Sequence, residues 1–97
     1  MQRIVYTEGM STVITKELAK EHLAANVSRL LELRGMSQRQ LAIATGEEVM
    51  TISRICRGLV MPSADVVHRI AAAFQVDMGP LLDEPPASPA KKIRDSA

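Results

Sequence analysis

Apolar residues recur along the middle of the chain at spacings of three and four, which is the period of an amphipathic α-helix. The first helix is predicted to run from about Lys16 to Arg34. Thr15 can cap its N-terminus, and Gly35 can take the left-handed conformation that ends a helix. The apolar stripe that should face the core consists of Leu23, Val27, Leu30 and Leu31.

The strongest local signal marks the start of a second helix. Ser37 and Gln40 have the spacing of a capping box, and Met36 and Leu41 have the spacing of a hydrophobic staple. This helix must be short, because Gly46 follows soon afterwards and permits a sharp turn that a residue with a Cβ would resist.

The rest of the pattern predicts three more helices. The third runs from about residue 48 to residue 57, with Ile52 and Ile55 toward the core and Gly58 at its end. Ser63 caps the fourth, whose apolar positions are Val66, Val67, Ile70, Ala71 and Phe74. A last helical turn contains Met78, Leu81 and Leu82. With short connections and no convincing strand, the pattern predicts an all-α fold of five helices.

Composition divides the chain into three zones. The 97 residues allow one domain, predicted over residues 15–83, and its core must be aliphatic because the chain has one Tyr, one Phe and no Trp. Residues 1–14 are an N-terminal arm, either frayed or in contact with a second subunit. Residues 84–97 are typical of a Pro-rich disordered tail, or of a linker that leads to a further effector domain.

Charge and cysteine content argue against several classes of function. A net charge of +1 excludes a large basic patch as the main source of nucleic-acid affinity. Cys56 is the one cysteine, which argues against a disulfide or a multi-thiolate zinc site and fits a reducing, cytoplasmic location. His22 and His68 have no partner at ligand spacing, so we expect no catalytic residue, metal or cofactor. No apolar run is long enough to span a bilayer, so we expect no membrane partner.

The second and third helices have the arrangement of a helix-turn-helix, since a tight turn at Gly46 joins them. In that arrangement the first helix of the pair crosses the DNA backbone, and the turn tilts the second so that its exposed face enters the major groove. Helix pairs of this kind also occur in other small bundles, so the topology alone does not establish DNA binding.

A longer pattern runs in order and without gaps through this region. It consists of residues 27–30 (Val-Ser-Arg-Leu), 34–42 (Arg-Gly-Met-Ser-Gln-Arg-Gln-Leu-Ala), Gly46, 51–55 (Thr-Ile-Ser-Arg-Ile), Arg57, Gly58, Pro62, Ser63 and 70–82. By this pattern, residues 23–82 resemble the Cro/phage-repressor helix-turn-helix family, also called the XRE family. The resemblance implies a five-helix fold, sequence-specific binding of double-stranded DNA as a homodimer, and a role in transcriptional regulation.

The resemblance also implies roles for individual side chains. Gln38 begins the second helix, where the family contacts a phosphate or orients a side chain that contacts a base. Arg54 can grip guanine O6 and N7 with a bidentate guanidinium, and Ser53 can donate to a phosphate or a base. The predicted DNA-binding residues are Gln38, Arg39, Val49, Met50, Ser53, Arg54 and Arg57.

The chain departs from the family pattern around the third helix. Glu47 and Glu48 replace an apolar turn residue and a Ser or Thr cap, and two carboxylates there would repel phosphates unless they point away or accept from cytosine N4. Cys56 replaces a glutamate, which removes a possible ion pair with Arg34. Apolar residues stand where polar ones are common at Ile43, Val49, Met50, Leu59, Val60 and Met61.

These apolar residues leave two interpretations open. If they are exposed, they form a surface that suits either the thymine methyl groups of A/T-rich DNA or a protein partner. Alternatively several of them, chiefly Leu59 and Met61, turn inward and pack.

The sequence favours a homodimeric, sequence-specific transcriptional regulator of the repressor type that binds a pseudo-palindromic operator. The dimer surface is predicted to be either the arm Ile4-Val5-Tyr6 or the group Met78, Leu81 and Leu82. The alternative function is a protein-interaction module, antitoxin-like or an accessory factor, that uses the apolar face of the third helix.

Overall fold

A computed structural model describes residues 15–86 of the chain. They form five α-helices: α1 (Lys16–Arg34), α2 (Gln38–Thr45), α3 (Val49–Cys56), α4 (Ala64–Phe74) and α5 (Met78–Leu82). The prediction of five helices in an all-α fold is therefore confirmed. The predicted N-terminal arm and most of the Pro-rich tail lie outside the described residues. Between residues 15 and 86, no helix has the length and apolar character needed to cross a bilayer.

The long helix α1 has the two ends that the sequence predicts. The Thr15 hydroxyl oxygen accepts a hydrogen bond from the N–H of Leu18 at 3.1 Å, which satisfies one of the free donors of the first turn. Gly35 ends the helix in the left-handed conformation, with φ 62°. The predicted apolar stripe of α1 is buried, so this helix supplies one wall of the core.

The core is aliphatic apart from Phe74, as the composition predicts. Helix α1 packs against α3 and α5, while α2 packs against α3 and α4. The buried apolar residues are Leu23, Val27, Leu30, Leu31, Leu41, Ala42, Ile52, Ile55, Val67, Ile70, Ala71, Phe74 and Leu81. Because both α2 and α3 contribute to this core, the angle between them is set by packing as well as by the turn that joins them.

Polar side chains of α1 hold the C-terminus of α5. The side-chain nitrogen Nδ2 of buried Asn26 donates to the carbonyl oxygens of Leu81 and Asp83, each at 2.9 Å. The ring nitrogen Nδ1 of His22 lies 2.9 Å from the carbonyl oxygen of Leu82. Carbonyl groups in the last turn of a helix lack partners within the helix. These contacts therefore close a helix of only five residues onto the rest of the fold.

Two predictions about the helices need correction. Helix α3 is shorter than predicted, because Glu48 is its extended N-cap and Arg57 is its C-cap, so neither residue is helical. Leu81 is not available as part of a dimer surface, because it lies in the core with 1% of its surface exposed. Its neighbours Met78 and Leu82 are partly buried against the same core.

Candidate nucleic-acid interface

The start of α2 is fixed by the predicted capping box. The Ser37 hydroxyl oxygen accepts a hydrogen bond from the N–H of Gln40 at 3.0 Å, and the Gln40 side-chain oxygen accepts one from the N–H of Ser37 at 2.8 Å. Leu41 is buried and Met36 packs partly against the core, as the staple predicts. Since Gln40 serves the cap, the side chains left for contact at this end of α2 are those of Gln38 and Arg39.

A tight turn centred on Gly46 joins α2 to α3. Gly46 has φ 77°, in the left-handed region that favours glycine. The N–H groups of Gly46 and Glu47 donate to the carbonyls of Ile43 and Ala42 at 3.3 and 3.0 Å, which satisfies carbonyls at the end of α2. The turn that the sequence predicts at this glycine is therefore confirmed.

Helix α3 has one buried face and one exposed face. Ile52 and Ile55 are buried, whereas Val49 and Met50 expose 41% and 53% of their surfaces and Arg54 is exposed as well. Each residue of an α-helix advances by about 100°, so residues 49, 50, 53 and 54 share the face opposite the two isoleucines. This exposed face presents apolar groups at its N-terminal end and a guanidinium one turn later.

The structure leaves the predicted contact residues accessible to different degrees. Arg39, Val49, Met50, Arg54 and Arg57 are exposed, and Gln38 and Ser53 are partly buried. Within residues 15–86, no carboxylate forms an ion pair with any arginine of this group. The three guanidinium groups at positions 39, 54 and 57 therefore keep their charge available for phosphates.

The two glutamates of the turn differ in their surroundings. Glu47 is partly buried, and a carboxylate oxygen lies 2.9 Å from Nη2 of Arg69 in α4. Glu48 is exposed and its side chain makes no capping hydrogen bond to α3. The expected repulsion of phosphates by two carboxylates is thus reduced, because the guanidinium of Arg69 lies against one of them.

Arg69 is not among the residues that the sequence predicts to have a role at the interface. Its one local signal is the spacing of four residues from Asp65, which suits an ion pair within a helix. That pair forms, with 3.0 Å between Nη2 of Arg69 and a carboxylate oxygen of Asp65. The contact with Glu47 joins residues far apart in the sequence, so no local pattern reveals it.

The apolar residues around α3 divide into two groups. Ile43 and Leu59 expose 76% and 56% of their surfaces, in addition to Val49 and Met50. Val60 and Met61 are partly buried against the core. The prediction of inward packing is therefore confirmed for Met61 and wrong for Leu59. Leu59 follows the left-handed Gly58 and donates its N–H to the carbonyl of Arg54 at 3.0 Å, which places the residue at the surface.

Cys56 and Arg34 lie apart from the exposed face of α3. Burial raises the pKa of the Cys56 thiol, and a hydrogen bond with Ser28 offsets part of that effect, so the thiol is protonated at neutral pH. Arg34, for which Cys56 offers no ion pair, donates from Nη1 to the carbonyl oxygen of Phe74 at 2.7 Å. Arg34 therefore supports the end of α4.

A short capped helix, a left-handed glycine turn and a second helix with an exposed polar and apolar face have the arrangement of a helix-turn-helix motif. The helix-turn-helix family model matches residues 27–81, which is more than half of the chain. The chain belongs to this Cro/C1-type (XRE) helix-turn-helix family of DNA-binding transcription regulators. The resemblance inferred from the sequence is confirmed.

A solved structure shares the fold. It is the crystal structure of a hypothetical transcription factor, NHTF, from Neisseria, which superposes with a TM-score of 0.68 at 24% sequence identity. The similarity covers 87% of this chain and 93% of that chain. A comparison with curated proteins gave no match.

Proposed function

We propose that this chain is a cytoplasmic, non-enzymatic repressor that binds a pseudo-palindromic operator as a homodimer, with α3 of each subunit in the major groove. The observation that carries the proposal is the exposed face of α3, on which Arg54 lies beside Val49 and Met50 while the opposite face is buried. A helix held in this way can enter the groove without a change in its packing.

Base recognition on this face combines two kinds of contact. Arg54 donates to guanine O6 and N7, the commonest specific contact in the major groove. Val49 and Met50 cannot distinguish hydrogen-bonding patterns, but both can contact the methyl group of thymine. The partly buried Ser53 lies between them on the same face and can donate to a base or a phosphate. We therefore expect each half-site to contain a guanine next to one or more thymines.

We expect base recognition to be accompanied by a small number of contacts to phosphates. We expect Gln38 and Arg39 at the start of α2 and Arg57 after α3 to contact the DNA backbone, which sets the position of the protein on the duplex. Each subunit then neutralises roughly two to four phosphates, and each contact contributes about −0.9 to the slope of log affinity against log salt concentration. A measured slope of about −10 for the dimer would contradict this count.

In vitro selection of bound duplexes from a random pool tests the proposal. We expect an enriched motif with two inverted half-sites, and sedimentation of the complex should show two protein chains per duplex. Competition with mixed-sequence DNA at moderate salt provides the control for specificity. Equal affinity for every duplex would contradict an operator-specific regulator.

A second candidate function follows from the exposed apolar side chains of Ile43, Met50 and Leu59. Apolar groups on a surface of this kind also suit a protein partner, and methionine adapts to varied partners. The substitution Met50→Gln distinguishes the two functions. Under the first function it alters the selected DNA motif and leaves binding intact. A variant that keeps the wild-type motif but loses a protein partner would favour the interaction module.

A further inference from the structure

One arginine of α4 holds both sides of the turn between α2 and α3. Nη1 of Arg69 donates to the carbonyl oxygen of Thr45, the last residue of α2, at 2.6 Å. Nη2 lies 2.9 Å from a carboxylate oxygen of Glu47, which directly precedes the N-cap of α3. Gly46 lies between these two residues, and a Cβ at that position would lie 3.7 Å from Nη1. The guanidinium therefore lies against the turn itself.

The guanidinium is held from its own helix as well. Nη2 donates to a carboxylate oxygen of Asp65, one turn earlier in α4, at 3.0 Å. The nitrogen Nε of Arg69 is buried and has no hydrogen-bond partner among the described residues, although 37% of the side-chain surface is exposed. A planar fork with fixed donors suits this task, because one group satisfies a carbonyl and two carboxylates at once.

The position of Glu47 gives this contact a consequence for DNA binding. Glu47 lies two residues before Val49, the first residue of α3. A helix that enters the major groove brings its N-terminal residues to the base edges, between the two phosphate backbones that line the groove. A free carboxylate at that point would repel them, whereas a guanidinium beside it, even one shared with Asp65, weakens that repulsion.

We propose that Arg69 is a positioning residue for DNA binding, which offsets part of the charge of Glu47 and fixes the turn before α3 without contacting DNA itself. This inference rests on the proposed function, because it requires α3 to approach a duplex. It assigns a role in DNA recognition to α4, which carries none of the predicted contact residues. It also explains how the chain accommodates an acidic residue at the entrance to its recognition helix.

A double-mutant cycle between Arg69 and Glu47 tests the inference, and the neighbouring Glu48 supplies the matched control. Glu48 has the same charge and an adjacent position but no ion pair with Arg69 among residues 15–86. The affinity of the 97-residue chain is measured for the selected duplex and for a mixed-sequence duplex. The proteins are wild type, Arg69→Met, Glu47→Gln, Glu48→Gln and the two double variants that contain Arg69→Met.

We expect Arg69→Met to weaken binding to both duplexes by about tenfold, because it exposes a like charge to the phosphates. Glu47→Gln should restore most of that loss in the Arg69→Met protein and change wild-type affinity by less than about twofold. Glu48→Gln should increase affinity by the same factor in both backgrounds, because its charge is not coupled to Arg69. Unfolding by urea, followed by circular dichroism, establishes that each variant is folded, and Arg69→Gln replaces Arg69→Met if the latter is not.

Two results would overturn the inference. One is wild-type affinity in a folded Arg69 variant. The other is a gain from Glu47→Gln that is equal in the two backgrounds, since the charge of Glu47 would then be independent of Arg69. Failure of the proposed function gives a different result. In that case the wild-type chain shows no preference between the two duplexes. The double-mutant cycle on the mixed-sequence duplex still measures the coupling between Arg69 and Glu47.

Discussion

At the scale of single residues, Val49 and Met50 place methyl and thioether groups at the N-terminal end of the exposed face of α3. Such groups recognise thymine by contact with its C5 methyl, because they have no hydrogen bond to offer to a base edge. The affinity of this face for DNA should therefore depend on individual methyl groups of the operator.

Replacing thymine by deoxyuridine removes one methyl group and leaves the base pair unchanged, which makes it a direct test. We expect each contacted methyl group to contribute about fourfold in affinity, the ratio that corresponds to ~0.8 kcal/mol for a buried methylene-sized group. Titration of labelled duplexes with deoxyuridine at single positions measures the effect. In Met50→Ala protein, one position should lose its sensitivity. Equal affinity for all the substituted duplexes would rule out methyl recognition.

Because of the half-buried thiol of Cys56, the unfolding free energy should depend on pH in the alkaline range. Because burial raises the pKa of the thiol in the folded state, the folded chain holds this proton more tightly than the unfolded chain does. The resulting stabilisation is fully present below the pKa of the unfolded thiol and is lost as pH rises through the folded pKa. The difference in unfolding free energy between wild type and Cys56→Ala should therefore shrink as the pH rises above about 8.5, the pKa of an unperturbed thiol. Urea titrations at several pH values measure it, and a difference that grows with pH would contradict the assignment.

At the scale of helices, the capping box of α2 can be tested against a weaker cap in the same chain. Ser37→Ala removes an acceptor that lies 3.0 Å from the N–H of Gln40, and we expect it to lower the unfolding free energy by about 1 kcal/mol. Ser63 caps α4 over a longer distance, 3.4 Å to the N–H of Val66, so Ser63→Ala should cost less. Urea midpoints at constant slope provide the comparison. A larger loss of unfolding free energy for Ser63→Ala than for Ser37→Ala would show that the hydrogen-bond lengths do not predict which cap contributes more.

The hydrogen bonds from Asn26 of α1 to the end of α5 should contribute more to the unfolding free energy than either cap does. Asn26→Ala removes the donor of two hydrogen bonds to the carbonyls of Leu81 and Asp83, and it leaves a small cavity in a buried position. We expect a loss of about 2 kcal/mol or more. Hydrogen exchange should show faster opening of α5 than of α4, because α5 has few other partners. Unchanged protection of α5 would contradict this role for Asn26.

The sequence predicts well those features that depend on neighbouring residues. The caps at Thr15, Ser37 and Ser63 and the end of α2 at Gly46 are local signals, and all are present in the structure. The role of Arg69 depends on a contact with Glu47 across a long stretch of sequence, so periodicity and spacing cannot reveal it. For the same reason, the pattern could not show that Leu81 is enclosed by the rest of the fold.

Across the molecule, the candidate site also combines features that depend on neighbouring residues with features that depend on distant contacts. The exposed residues of α3 were predictable, because the helical period places them opposite Ile52 and Ile55. Whether Leu59 or Met61 reaches the surface depends on the path of a loop after Gly58, which periodicity does not describe. The net charge of the interface likewise depends on α4, an element outside the helix-turn-helix.

The proposed homodimer makes a geometric prediction about the operator. Two recognition helices in adjacent major grooves on one face of the duplex lie about 34 Å apart, so the half-sites should have a single preferred spacing of about one helical turn. Inserting about five base pairs, half a helical turn, between the half-sites places them on opposite faces and should reduce affinity to that of an isolated half-site. Gel-shift titration of a series of spacers measures the dependence, with the isolated half-site as control. Because a rigid pair of subunits cannot follow both half-sites around the duplex, affinity that is independent of spacing would mean that the subunits bind separately.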